Sequence, residues 1–243
     1  MEARSITATS VSPAISSLQV FFKYQALIWN GARVTLLVSL LTVIFGLLFG
    51  TLMAFMKLGK IRILRIIANV YVEFIRGTPV LVQIFIIFYG LPMIGIEIPS
   101  IMMGGVDISR LMSGIIALTI NSTAYICEIV RSGIQSIGVG QSEGAMALGM
   151  NGVESMWYII LPQAMKNILP ALGNEFINVI KTSSQVSVIG IAELMYAADT
   201  IRGISFRPME PLVIVALIYF VITFTLSCGI KQVEKRMRRS SRR

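Results

Sequence analysis

Residues 34–56, VTLLVSLLTVIFGLLFGTLMAFM, run for 23 positions without a charged side chain. A helix needs roughly 20 consecutive apolar residues to cross the hydrocarbon core of a bilayer, so this stretch reads as a membrane span. Similar charge-free runs occupy 77–96, 111–127 and 211–230. The whole chain agrees: 55% of its 243 residues are hydrophobic and only 14% charged, against about 25% charged in an ordinary globular domain. Too little polar side chain is present to cover a water-facing surface. The expected fold class is an all-α integral membrane protein with about five transmembrane helices.

Composition also excludes several chemistries. The chain has no histidine, which removes His-ligated metal sites and Ser–His or Cys–His catalytic pairs. Its two cysteines, Cys127 and Cys228, lie in apolar segments and read as small packing residues rather than a disulfide or a nucleophile. No G-x-x-x-x-G-K-[ST] phosphate loop occurs, so the chain has no nucleotide-binding loop of that type.

The net charge of +9 would suit nucleic acid if it formed a patch, but it is distributed as in a membrane protein. Lys57, Lys60, Arg62 and Arg65 crowd one gap, and seven basic residues fall within 231–243. Basic flanking segments mark the cytoplasmic side. Five crossings with the N-terminus outside and the C-terminus inside place 13 Lys and Arg in the inner segments 57–65, 131–166 and 231–243, and 6 in the outer ones. The basic tail 232–243 then serves as an orientation signal and anionic-lipid anchor, with no nucleic-acid partner. The first 30 residues lack the short apolar core and small-residue cleavage site of a secretory signal. Residues 1–29 are expected to be an extracytoplasmic or interfacial segment, with 15–29 as an interfacial helix.

The spans are irregular. Gly46 and Gly50 stand four apart on one face of the first, a spacing that lets a neighbouring helix approach closely; packing within the subunit is favoured over a dimer contact. In the second, Arg76-Gly77-Thr78-Pro79 interrupts a long apolar stretch over 64–92. Proline removes a donor and disfavours helix at the residue before it, so the chain should break in mid-membrane. Such breaks survive only against protein or a watery cavity, and transporters build substrate sites from them. A segment at 186–198 is apolar but too short to cross alone.

Between the third and fourth spans, residues 133–162 read GIQSIGVGQSEGAMALGMNGVESMWYIILP. Glu143, Gly144, Ala145, Gly149, Ile159, Leu161 and Pro162 match the spacing E-A-A-x(3)-G-x(9)-I-x-L-P, which resembles the cytoplasmic loop of permease subunits of bacterial ABC importers. Gly144 departs from the alanine usual there; glycine costs a helix about 1 kcal/mol relative to alanine. Further similarity to the polar amino-acid branch of that family is carried by Asn30-Gly31 to Ser39, Arg76 to Gln83, Tyr125 to Gly133, and Asn174 to Gly190. Thr182 and Gln185 stand where the family commonly has an acidic and an aliphatic residue.

The resemblance implies a type I ABC importer permease fold over residues 30–231, with a cytoplasmic coupling helix in the 133–162 loop. It implies import of a polar amino acid across the bacterial cytoplasmic membrane. The partners would be a dimer of ABC ATPase subunits, a second permease subunit (identical or homologous), and an extracytoplasmic amino-acid-binding protein. The chain would bind no cofactor and do no enzymatic chemistry; ATP and Mg²⁺ would sit on the ATPase. A helix of small residues around Gly144, Ala145, Ala147 and Gly149 suits close docking, and Glu143 near its start would suit the positive helix end.

Ionisable residues at bilayer depth are functional candidates by default. Glu73, Arg76, Glu175 and Lys181 qualify, and Thr78, Gln83 and Ser183 join them as candidate substrate contacts. Glu175 lies 13 residues past Pro162, about 20 Å along a helix, and so near the midplane, where it should be held by Lys181, Arg76 or substrate. Glu73 and Arg76 also fit a simple i,i+3 pair that steadies the broken helix. If Glu73 and Glu175 face one cavity, they favour a cationic amino acid such as arginine, lysine or histidine; neutral polar amino acids and cystine are also open. The rival reading is an ion-coupled secondary transporter acting without an ATPase. It usually carries an inverted repeat, which is not evident here, and it gives the 143–162 spacing no purpose.

Overall fold

The computed structural model describes residues 13–103 and 106–240. The beginning of the N-terminal segment, 1–12, and the last three residues of the basic tail lie outside the described residues. Helix α1 (Pro13–Leu58) is far longer than one crossing requires, and its non-helical backbone at Tyr24 (φ −114°, ψ 18°) marks a kink ahead of the apolar run. Next come α2 (Arg62–Gly77), α3 (Val80–Met93), and a two-residue antiparallel ladder pairing Met102 with Asp107 and Met103 with Val106. Helix α4 (Ile108–Gln135) returns through the bundle, capped by the Asp107 carboxylate, which accepts from Ser109 N at 3.0 Å. The loop holds α5 (Val139–Ala147) and a single turn, α6 (Gly152–Glu154). A π-helical stretch, Ser155–Ile160, leads into α7 (Leu161–Thr182), and a 3₁₀ turn, Ser183–Ile189, precedes α8 (Leu194–Ser205) and α9 (Glu210–Ser240).

Among the described residues, Ser17–Leu58, Ile108–Gln135 and Glu210–Met237 are long and apolar enough to cross a membrane, and α2 with α3 makes a fourth such unit bent by 108°. The bend falls where Pro79 predicts it. Thr78 and Pro79 are both extended (ψ 145° and 135°), and helix resumes at Val80. The fifth crossing is α7. Its Lys166, Asn174, Glu175, Asn178 and Lys181 keep it from passing as an apolar span, but α1, α4 and α9 pack around it.

Three apolar clusters hold the bundle. One joins Val38 of α1, Ile84 of α3, Leu118 of α4 and Val186. A second joins Ala54, Val72, Ile126 and Ile168, and a third joins Val20 and Ile28 to Leu194, Ile201 and Ile214. Helix α1 seats on α4 through the two glycines. A β-carbon at Gly46 would lie 3.0 Å from Ile126 Cδ1, and one at Gly50 only 2.8 Å from Ile126 Cβ. The small-residue face therefore serves contact within the subunit. Helix α8, 12 residues long, is too short to cross. The carboxylate of Glu193 caps it, accepting from Met195 N (2.9 Å), Tyr196 N (2.8 Å) and Tyr219 Oη (2.8 Å). Thr35 Oγ1 donates to the same group at 3.4 Å, so one fully buried carboxylate ties α1, α8 and α9 together. Cys127 is buried, Cys228 exposed, and both are free thiols.

Candidate substrate cavity and coupling loop

The break between α2 and α3 opens onto a cavity of about 260 Å³, walled by α4 and α7. Periodicity explains its lining. Glu175, Asn178 and Thr182 are three and four residues apart on α7, and Leu118, Asn121 and Tyr125 repeat the spacing on α4; each set shares one helix face. Thr78, Pro79 and Val80 contribute the broken segment, and Gln185 comes from the 3₁₀ turn. Extended backbone at Thr78 and Pro79 leaves groups that a helix would have satisfied. Gln83 takes up this duty: its Nε2 donates to Ile75 O (2.8 Å) and Thr78 Oγ1 (2.8 Å), and its Oε1 accepts from Asn121 Nδ2 at 2.9 Å.

The candidate residues expected from sequence divide. Thr78 and Glu175 line the cavity. Gln83 is buried behind the break and holds it. Ser183 is fully buried, with its hydroxyl donating to Ile180 O at 2.8 Å. Arg76 is exposed at the rim, its guanidinium carbon 5.7 Å from the centroid of the Tyr125 ring, within range of a cation–π contact. Glu73 and Lys181 are exposed and absent from the lining, so Glu73 and Glu175 do not face one cavity in this structure. Glu175 is 8% exposed and makes no ion pair with Lys181 or Arg76 among the described residues; Ser122 Oγ donates to it at 3.4 Å.

Asn121, Tyr125, Asn178, Thr182 and Gln185 also line the cavity and are not among the candidate contacts that the sequence offers. The signal was available, because on α4 and α7 they recur at helical spacing with Leu118 and Glu175. A second unanticipated feature is the ionic cluster in which Glu128 accepts from Lys57 Nζ and from Arg131 Nη2 (2.7 Å). It fastens the end of α1 to the end of α4, next to the loop.

In the loop, Ala145 is buried, while Glu143, Gly144, Gly149 and Pro162 are exposed and Ile159 and Leu161 half-buried. The exposed side of α5 and its exit carries Val139, Met146 and Leu148, so this surface is apolar as well as small. Glu143 is the fifth residue of α5, not a first-turn residue, and the expected interaction with the helix N-terminus is absent. Gly149 has φ +88°, and nothing lies within 4 Å of where a β-carbon would stand. Its N–H donates to Met146 O (2.9 Å) and the next N–H, of Met150, to Ala145 O (3.1 Å). This is a left-handed helix stop that favours glycine. Asn151 and Glu154 then form a reciprocal capping box, Asn151 Oδ1 accepting from Glu154 N at 3.0 Å and Glu154 Oε2 from Asn151 N at 2.8 Å. The loop is pinned to α7 by Gln163 Nε2 to Gln141 Oε1 (3.1 Å) and Asn167 Nδ2 to Ser136 Oγ (2.8 Å).

Residues 46–239 match the family described as binding-protein-dependent transport system inner membrane component. The glutamine transport system permease protein GlnP of Escherichia coli (strain K12) is 37% identical over 212 residues, covering 87% of this chain and 93% of that protein. The arginine transport system permease protein ArtQ of Bacillus subtilis (strain 168) is 36% identical over 211 residues, covering 87% and 92%. A solved chain from an amino acid ABC transporter, crystallised with histidines, superposes with a TM-score of 0.82 at 44% identity, covering 90% of this chain and 97% of that one.

Proposed function

Because the chain belongs to the family of binding-protein-dependent transport system inner membrane components, as a polar amino-acid ABC permease, we propose that it carries a neutral polar amino acid inward through the cavity at the α2–α3 break. One observation supports the substrate class. Among the described residues, Glu175 is the single carboxylate lining that cavity, beside amides and hydroxyls from Asn121, Asn178, Gln185, Thr78 and Thr182. One carboxylate suits the α-ammonium group, and Arg76 at the rim suits the α-carboxylate. The amides are then left for the side chain, which favours an amide-bearing substrate such as glutamine. A cationic side chain would call for a second anion, and Glu73 stands elsewhere on α2. The name of the arginine relative keeps the cationic class as the second reading.

The remaining parts follow the family. The exposed apolar side of α5 docks on an ATPase subunit, whose ATP and Mg²⁺ drive the alternation, and a second permease subunit completes the path. An extracytoplasmic binding protein delivers substrate on the side opposite the coupling loop, with the N-terminus of this chain outside and the C-terminus in the cytoplasm. Competition decides the substrate. In vesicles holding the full importer, excess unlabelled glutamine is expected to block labelled glutamine uptake while arginine leaves it intact. Uptake of labelled arginine that excess glutamine leaves intact, with no entry of labelled glutamine, would return the cationic reading.

A further inference from the structure

Arg62, Arg65, Asn69, Glu73 and Arg76 recur every three or four residues along α2, so they form one polar stripe down the helix. On one side of it lie the buried residues Ala68, Val72 and Ile75; on the other lie exposed Ile66, Val70 and Phe74. Four of the five are exposed, and Asn69 is half-buried. Arg62 and Arg65 have an ordinary explanation, since basic residues gather at the cytoplasmic ends of spans, and Arg65 Nη2 donates to Gly59 O at 2.8 Å. Asn69, Glu73 and Arg76 do not, since the i,i+3 pair open to Glu73 and Arg76 is not formed among the described residues. From Arg62 to Arg76 the helix rises about 21 Å, well into the apolar layer, where charge facing lipid is costly.

The stripe must be covered by protein or by water. A second copy laid on it symmetrically would oppose three guanidinium groups and one carboxylate to the same set, and like-charge juxtaposition is unfavourable. Water meets no such conflict. The stripe also begins and ends in the right places. Its deep end is Arg76, over the ring of Tyr125, which lines the cavity. Its shallow end is Arg62, just past α1, at the end of the bundle where Lys57 meets Glu128 and the coupling loop departs.

We propose that this stripe is one wall of a water-filled exit path leading the amino acid from the cavity to the coupling-loop side; the inference rests on the import reading above. A departing amino acid offers a carboxylate and an ammonium group. Arg76 and Arg65 match the first, Glu73 the second, and Asn69 either. Several exposed partners in sequence hold a passing ligand weakly enough to release it, as conduction through multiple sites demands.

The test uses inside-out vesicles of cells expressing the chain with its ATPase and second subunit, with Cys127 and Cys228 replaced by alanine. Single cysteines at Asn69 on the stripe and Val70 on the apolar face are exposed to a membrane-impermeant thiol reagent. Asn69→Cys is expected to label about tenfold faster than Val70→Cys, with protection by excess amino-acid substrate. Glu73→Cys provides a second stripe position if Asn69→Cys fails to insert. Slow labelling at both stripe positions, in vesicles that still transport, overturns the path and leaves the import reading standing. Disulfide formation between the Asn69→Cys positions of two subunits without labelling also overturns it, by showing a dry interface. Failure of the complex without cysteine substitutions to transport any amino acid would overturn the import reading and, with it, the path.

Discussion

The side-chain amide of Asn121 donates to Gln83 Oε1 across 2.9 Å, joining the wall of the cavity to the residue that holds the break open. The same Gln83 donates to Ile75 O and Thr78 Oγ1. Cavity shape and helix break are thus one hydrogen-bonded unit, and buried polar groups within it are costly to leave unpaired.

Gln83→Leu removes those donors and strands Ile75 O and Asn121 Nδ2, a loss of about 1–3 kcal/mol for each unsatisfied buried group. The purified complex should melt at lower temperature and transport more slowly. Thr78→Val, which removes one partner of the same network, should do so more mildly. An unchanged melting temperature in Gln83→Leu would show that water replaces the amide and that the network does not hold the break.

Glu175→Gln should leave the complex assembled and its basal ATP hydrolysis intact while strongly lowering uptake, because the side chain lines the cavity and has no ion-pair partner among the described residues to lose. Glu73→Gln should have little added effect on the amino-acid affinity of a neutral substrate. Uptake and ATPase rates measured on the same preparation decide it. Full uptake in Glu175→Gln would reduce this carboxylate to a packing group.

Gly149→Leu forces a left-handed backbone on a branched side chain, at roughly 1–2 kcal/mol, and should disorder the α5 exit. ATPase co-purification and uptake are expected to fall while membrane insertion stays normal. Gly149→Asn should be milder, since asparagine tolerates this conformation. Equal damage from the two variants would point to crowding at the docking surface in place of backbone strain.

Orientation is open to thiol labelling. A cysteine at Ser240 should react only from the cytoplasm and one at Met103 only from outside, as the bias of basic residues toward 57–65, 131–166 and 231–243 requires. Labelling of both from one side would mean that the number of crossings between them is even.

What the sequence determined by itself were the properties set locally. Lipid demands long apolar runs, so 34–56 and 211–230 read as spans from composition alone. Pro79 constrains its own neighbours, so the α2–α3 break was legible to the residue. The loop spacing from Glu143 to Pro162 carried the family because it lies within one continuous segment. Gly149 was visible in that pattern, but its reason, a positive φ at the helix exit, was not.

The tertiary structure decided which polar residues meet. Glu73 and Glu175 look equivalent as intramembrane carboxylates, yet one lies on an exposed stripe and the other lines the cavity. Asn121 and Asn178, far apart in sequence, converge only because α4 and α7 pack side by side at the break. Glu193, a lone acid in the apolar segment 186–198, gains four partners from α1, α8 and α9. Helical periodicity assigns each residue to a face of its own helix, but which faces oppose one another is set by close contacts such as Gly50 against Ile126. Those contacts depend on the shapes of two distant segments at once, and no local property of either segment encodes them.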